Sequence, residues 1–220
     1  MPHDPANNPK VLFAAGGTGG HLFPAQALAE KLTGVDVLFS GAKLSTNSYF
    51  DRNKFTYRDI DSTTPFRGNF MQKIQSVVIL LRGIWQSLRL LSNERPDLVV
   101  GFGSFHSFPL LCAAALKRVP LVLFESNAVP GKVIRLFSRF ALYTAVYFPE
   151  SERYLKGKVH AVEIPSLKSR TSLNAQEARR QLGLDPDCFT LLVFGGSQGA
   201  KALNALILNL LPLLKSAQVP

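Results

Sequence analysis

The chain has 220 residues, 46% of them apolar, enough for one large domain or for one domain and part of another. Its two cysteines, Cys112 and Cys188, are too few for a disulfide framework or a zinc site, and both lie in apolar segments where reduced core thiols are expected. Twenty-five Lys and Arg against fifteen Asp and Glu leave a formal charge of +10, which favours anionic partners; the basic residues are scattered along amphipathic segments, which argues against nucleic acid.

Met1 to Lys10 is polar and contains proline, and the apolar stretch after it meets a glycine cluster too early for a signal peptide. Lys10 to Ala15 reads as a short buried strand, followed by Gly16-Gly17-Thr18-Gly19-Gly20 and a helix from about Phe23 to Leu32, with Pro24 in its first turn. Val35 to Phe39 gives a second strand and Phe55 to Ile60 a third extended piece. Asn69 to Glu94 is the longest predicted helix, with Phe70, Ile74, Val77, Val78, Leu81, Ile84, Trp85, Leu88 and Leu91 at three- and four-residue steps; most of these are expected to face the core. Arg82 interrupts its best apolar window, short of the roughly 20 apolar residues that span a bilayer, so no membrane crossing is predicted.

Asp97 to Gly101 is then a strand, Pro109 to Lys117 a helix, Pro120 to Phe124 a strand and Gly131 to Phe140 a helix. Strands that are apolar throughout, alternating with helices, predict an α/β fold of the doubly wound, Rossmann-like class, a parallel sheet covered on both faces. Beyond Pro149 the pattern loosens into a charged stretch and a connector containing Pro165, so the domains are placed at 1–165 and 166–220. The second begins with a short helix, Ala175 to Leu182. A buried strand, Phe189 to Phe194, then leads into the turn Gly195-Gly196-Ser197-Gln198-Gly199-Ala200 and a helix, Lys201 to Leu214. One strand–turn–helix unit cannot bury both faces of its strand, which implies an incomplete second domain.

The turn from Gly16 to His21 joins a strand's carboxyl end to a helix N-terminus, where free N–H groups and the helix dipole favour an anion such as phosphate. The bland alternative is a tight turn with no ligand. A dinucleotide fingerprint fails, because Leu22 stands at the third glycine and Ser40-Gly41 close the second strand without an acid; no P-loop pattern occurs either. His21 is placed for general-base chemistry or, less sharply, for hydrogen bonding within the turn. For His106, in the turn Gly101-Phe102-Gly103-Ser104-Phe105-His106, a structural role is favoured. Asn127, in Glu125-Ser126-Asn127, suits a sugar hydroxyl or amide as well as a turn.

Taken in order, Gly16 to His21 with Phe23-Pro24-Ala25, Val100 to Gly103, Glu125 to Asn127 with Pro130-Gly131, and Gly195 to Ala200 resemble the MurG family. Its members are inverting N-acetylglucosaminyltransferases that act on undecaprenyl-pyrophosphoryl-muramyl pentapeptide in peptidoglycan synthesis. The resemblance implies a GT-B fold, UDP-N-acetylglucosamine as donor, no metal and no cofactor. It also implies a peripheral location on the cytoplasmic face of the bacterial inner membrane, against an anionic surface. By the same resemblance Thr18, Gly19 and Gly20 lie near the donor, His21 is the base, Asn127 contacts N-acetylglucosamine and Ser197 meets the donor phosphates. The chain departs from the family at Glu163-Ile164-Pro165-Ser166-Leu167, where an arginine is expected and Arg170 is the substitute, and at Gly103-Ser104-Phe105 in place of Gly-Gly-Tyr. The family's uridine contacts fall beyond position 220, so little transferase activity is expected of these residues alone. Lys73, Arg82 and Arg89 on the long helix, with Arg67 before it, give docking on anionic lipid equal standing with core packing. Another nucleotide-sugar GT-B transferase or epimerase, and a non-catalytic remnant that binds acceptor or membrane, are the alternatives.

Overall fold

A computed structural model of the chain describes residues 8–64, 69–164, 173–195 and 200–216. It divides into two units, Met1–Ser169 and Arg170–Pro220. In the first unit seven parallel strands run β1 (Lys10–Ala14), β2 (Asp36–Gly41), β3 (Tyr57–Asp59), β4 (Leu98–Gly101), β5 (Leu121–Glu125), β6 (Tyr143–Val146) and β7 (Val159–Ala161). Their order across the sheet is β3-β2-β1-β4-β5-β6-β7. The predicted doubly wound α/β class is what forms. β6 extends the sheet where the sequence pattern is too short to mark a strand, and β7 forms in the short piece through Val162 that the sequence reads as extended.

The strands are apolar on both faces because both are covered. Leu12 and Ala14 of β1 join one core with Leu91, Leu110, Leu111, Val133 and Ile134, on α2 (Phe70–Glu94), α3 (Phe108–Lys117) and α4 (Lys132–Phe137). The alternate residues Val11 and Phe13 join a second core with Leu22, Ala25 and Phe39, under α1 (Gly19–Lys31). Phe13 anchors it, its ring 5.3 Å from Phe39 and 5.2 Å from Phe102.

Two expectations about helices are corrected. α1 begins at Gly19 with Thr18 as N-cap, so Pro24 lies inside the helix, not in its first turn. The helix extends back to the glycines because the N–H groups of His21 and Leu22 both reach the Thr18 carbonyl, at 3.1 and 3.2 Å. α2 starts as predicted, with Asn69 and Gln72 in a reciprocal capping box at 3.0 Å each way. Its apolar stripe, however, mostly faces outward: Phe70 is 76% exposed, Val78 61% and Trp85 56%, and Ile74, Val77 and Leu81 are exposed too. The buried positions are Ser76, Gly83, Ser87 and Leu91. Close approach holds at Gly83, where a Cβ would lie 1.9 Å from the Asp61 carbonyl oxygen, so no side chain fits at that position. The chain between β3 and α2 is clamped there, with Arg82 Nε and Gln86 Nε2 on Asp61 Oδ2 at 2.9 and 3.0 Å. By length and composition α2 would also serve to cross a membrane.

The second unit contains α5 (Ala175–Gln181), capped by Asn174, and α6 (Lys201–Ser216). The predicted strand Phe189 to Phe194 does not form; Leu192 and Phe194 are 77% and 80% exposed. A strand needs a neighbour to take its N–H and C=O groups, and the described residues of this unit supply none. Cys188 is accordingly exposed, contrary to its expected place in a core, whereas Cys112 is half-buried against the first core. Burial raises the Cys112 thiol pKa, which keeps it protonated and inert.

Candidate functional site at the switch point of the sheet

β1, β2 and β3 progress to one side and β4 to β7 to the other, so the topological switch lies between β1 and β4. In open parallel sheets the crevice at the carboxyl ends of such strands is where ligands bind. Four loops meet at that end here: Ala15 to Thr18 after β1, Ala42 and Lys43 after β2, Phe102 to Phe105 after β4, and Ser126 to Gly131 after β5. Backbone bonds lace them together, with Phe102 N on Ala14 O at 2.9 Å, Ala15 N on Ser40 O at 3.2 Å and Ala42 N on His106 O at 3.2 Å.

Thr18, Gly19, Gly20 and His21 are brought together as the N-cap and first turn of α1. The first N–H groups of a helix have no acceptors within it, and the Thr18 side chain does not cap them. The turn before them is held from outside: Asn47 Nδ2 donates to the Gly17 carbonyl at 2.7 Å. Gly17, at φ 89°, adopts a backbone that a side chain disfavours.

His21 Nδ1 lies 2.7 Å from the Phe102 carbonyl oxygen. A carbonyl only accepts, so Nδ1 carries the proton and Nε2 of the neutral ring keeps its lone pair. That is the arrangement of a general base: one nitrogen orients the ring, the other is available. Gly103, at φ 82°, adopts a backbone that a side chain disfavours, and it lies against the His21 ring.

His106 comes closer to the glycine turn than a purely local role would require. A Cβ on Gly16 would lie 2.7 Å from His106 Cβ, and one on Gly17 3.0 Å from His106 Nδ1. Burial first, then the charges of Lys43 and His21, hold its pKa below the ordinary 6.5. Ser104 Oγ lies 2.9 Å from His106 Nδ1 and accepts from the His106 N–H at 3.3 Å. Ser104 itself sits at φ 70°, ψ 150°, a region populated almost solely by glycine.

Asn127 is exposed at the mouth of the β5 loop, and its amide is partly committed. Glu125 Oε1 accepts from Asn127 N at 2.9 Å and from Asn127 Nδ2 at 2.7 Å, while Oε2 accepts from Gly131 N, the N-cap of α4, at 2.8 Å. Glu125 is 3% exposed and organises the whole loop. Sequence reasoning quoted it only as part of a motif, although an acid closing an all-apolar strand is the signal that finds it. Asn47, with no such signal, was missed altogether. Arg170 and Ser197 lie outside the described residues.

Comparison with known proteins shows the family of the first unit. Residues 11–146 match the model of the glycosyltransferase family 28 N-terminal domain. The UDP-N-acetylglucosamine–N-acetylmuramyl-(pentapeptide) pyrophosphoryl-undecaprenol N-acetylglucosamine transferase of Protochlamydia amoebophila is 41% identical over 207 residues, covering 91% of this chain and 55% of the relative. The protein of that name from Chlamydia pneumoniae is 36% identical over 200 residues, 90% of this chain and 54% of the relative. The chain thus spans a little over half the length of these relatives. Among solved structures, Acinetobacter baumannii MurG superposes with a TM-score of 0.58 at 24% identity, over 75% of this chain and 47% of that one, a likeness of fold. With the matched residues running from β1 through β6 and holding His21, Glu125 and Asn127, the chain belongs to glycosyltransferase family 28, through its N-terminal domain.

Proposed function

We propose that this chain is the acceptor-side part of an inverting transferase that moves N-acetylglucosamine from UDP-N-acetylglucosamine to undecaprenyl-pyrophosphoryl-N-acetylmuramoyl-pentapeptide. The observation that carries the reading is His21, with Nδ1 tied to the Phe102 carbonyl and Nε2 left open at the N-terminus of α1. The activity for which the relatives are named supports it.

In this reading His21 Nε2 takes the proton of the acceptor sugar hydroxyl as its oxygen forms the new bond to the anomeric carbon of the donor. The bond from that carbon to the diphosphate oxygen breaks from the opposite face, so the configuration inverts and UDP leaves with the electron pair. Thr18, Gly19 and Gly20 meet the developing negative charge with backbone N–H groups and the α1 dipole, so the reading assigns no metal to the diphosphate. Asn127 takes an N-acetylglucosamine group, and Ser197 and Arg170 take the donor phosphates.

The outward face of α2 gives the lipid-linked acceptor a place to dock. Phe70, Ile74, Val77, Val78, Leu81 and Trp85 are exposed beside Lys73, Arg82 and Arg89, and the Arg89 guanidinium stacks 4.8 Å from the Trp85 ring. An apolar face rimmed by cations lies flat on an anionic bilayer, here the cytoplasmic face of the inner membrane.

The test is transfer of radiolabelled N-acetylglucosamine from its UDP donor to the lipid-linked muramyl pentapeptide by the full reading frame that contains these residues. His21→Ala and His21→Gln are expected to lower kcat by about 100-fold or more with the fold intact. Unaltered kcat in both would refute His21 as the base, and no transfer by the wild-type protein would refute the reaction.

A further inference from the structure

Resting on the transferase reading, one pair of residues at the switch point is left without a role. Ser104 holds a backbone conformation, φ 70° and ψ 150°, that costs roughly 1–3 kcal/mol in a residue other than glycine. What the hydroxyl gains there is His106: it accepts from the His106 N–H and lies 2.9 Å from Nδ1. Among the described residues the Ser104 O–H has no other acceptor; with that O–H donated to Nδ1, the ring proton resides on Nε2. That second nitrogen has no partner among the described residues. Nor is it fully buried, since among the described residues the buried side-chain polar atoms without partners are Ser40 Oγ and Thr144 Oγ1.

The ring is pressed against Gly16 and Gly17, each of which would clash with it or crowd it if it bore a Cβ. It therefore lies beside the turn whose N–H groups and helix dipole favour an anion, with Lys43 and His21 as its titratable neighbours. We propose that Ser104 and His106 form a built hydrogen-bond donor, in which Ser104 fixes the tautomer and His106 Nε2–H binds an oxygen of the substrate diphosphate held at the Gly16–Thr18 turn. Diphosphate occurs in both substrates of the proposed reaction, the nucleotide sugar and the polyprenyl-linked acceptor. A neutral donor suits this place, because a second cation beside His21 would oppose proton uptake by the base.

The experiment uses the 220-residue chain with 15N-labelled histidine, and reads tautomer and ligand contact by imidazole NMR while titrating UDP, a short-chain prenyl pyrophosphate and inorganic pyrophosphate in turn. The expected result is a His106 ring protonated on Nε2 and not on Nδ1, with Nε2 shifted by at least one diphosphate. A shift with UDP alone assigns the donor as source, and a shift with prenyl pyrophosphate alone assigns the acceptor; either supports the proposal. His106→Val is expected to weaken that ligand by about tenfold or more, His106→Gln, which keeps a donor, by less than about threefold. Ser104→Ala should fold and lose the tautomer preference. An Nδ1-protonated ring in the wild type overturns the proposal, as does an Nε2 signal indifferent to all three ligands; both readouts need no variant to fold. Failure of transfer with these results intact would refute the transferase reading and leave the diphosphate contact standing. His21-dependent transfer with unchanged affinity in a folded His106→Val protein would do the reverse.

Discussion

Glu125 offers the sharpest test of how the site is built. Its carboxylate, 3% exposed, accepts from Asn127 N, Asn127 Nδ2 and Gly131 N at 2.7 to 2.9 Å. Hydrogen bonds to a charged group contribute about 1.5–3 kcal/mol each, so three would total roughly 5–9 kcal/mol if all were lost into a dry interior. They are not: Asn127 is exposed, and water replaces its share once the carboxylate is gone. The Gly131 N–H at the α4 N-cap and the cavity left by the side chain remain, which puts Glu125→Ala at about 2–4 kcal/mol of lost stability. For a domain of this size that is a fall in Tm of roughly 5 to 15 °C, read by circular dichroism. Glu125→Gln keeps the shape but turns an NH2 group toward one of the N–H donors, and should cost about 1–3 kcal/mol. The NMR signals of Asn127 and Gly131 should move in both variants. A Glu125→Ala protein within about 0.5 kcal/mol of wild type would refute the claim that this carboxylate holds the loop.

Three further outcomes follow from other parts of the molecule. Gly83→Ala gains about 1 kcal/mol of helix propensity but drives a methyl group to 1.9 Å from the Asp61 carbonyl, and a net loss of about 1–3 kcal/mol in denaturant unfolding is expected. The paired substitution Val78→Glu and Leu81→Glu, at exposed positions of α2, should leave stability within about 0.5 kcal/mol and abolish flotation with anionic liposomes; flotation of the wild type that ignores acidic lipid would remove the docking reading. Because the folded-state pKa of His106 lies below its ordinary 6.5, the unfolded chain binds that proton first. Its contribution to stability is therefore full above pH 6.5 and is lost as pH falls from there toward the folded pKa, so denaturant midpoints should drop less over that window in His106→Phe than in wild type.

Much of this was legible in the residues. Apolar runs such as Leu121 to Phe124, too uniform for a half-exposed sheet, announced a parallel sheet covered on both faces, and the turn from Gly16 to His21 announced an anion-binding helix start. The apolar periodicity from Asn69 to Glu94 announced α2. These signals are local: strand burial, turn chemistry and helical periodicity are set by neighbours within a few positions.

What periodicity could not settle is which side of α2 faces in. A helical stripe of large apolar residues ordinarily means core, and here the inner face is Ser76, Gly83, Ser87 and Leu91, with the Asp61 backbone against Gly83. The apolar run Phe189 to Phe194 predicts a strand that does not form, because pairing depends on what else the unit contains and the described residues supply no neighbour. The site divides the same way. His21 and Asn127 could be nominated from their turns, whereas the tie from His21 Nδ1 to the Phe102 carbonyl joins residues 81 apart, and the Ser104–His106 pair meets Gly16 and Gly17 only across the β1–β4 switch point. The amino-acid order determined the elements and the residue types at their ends; the crossing of the loops over the sheet decided which of those residues touch, because contact between distant segments is fixed by strand order and not by sequence spacing.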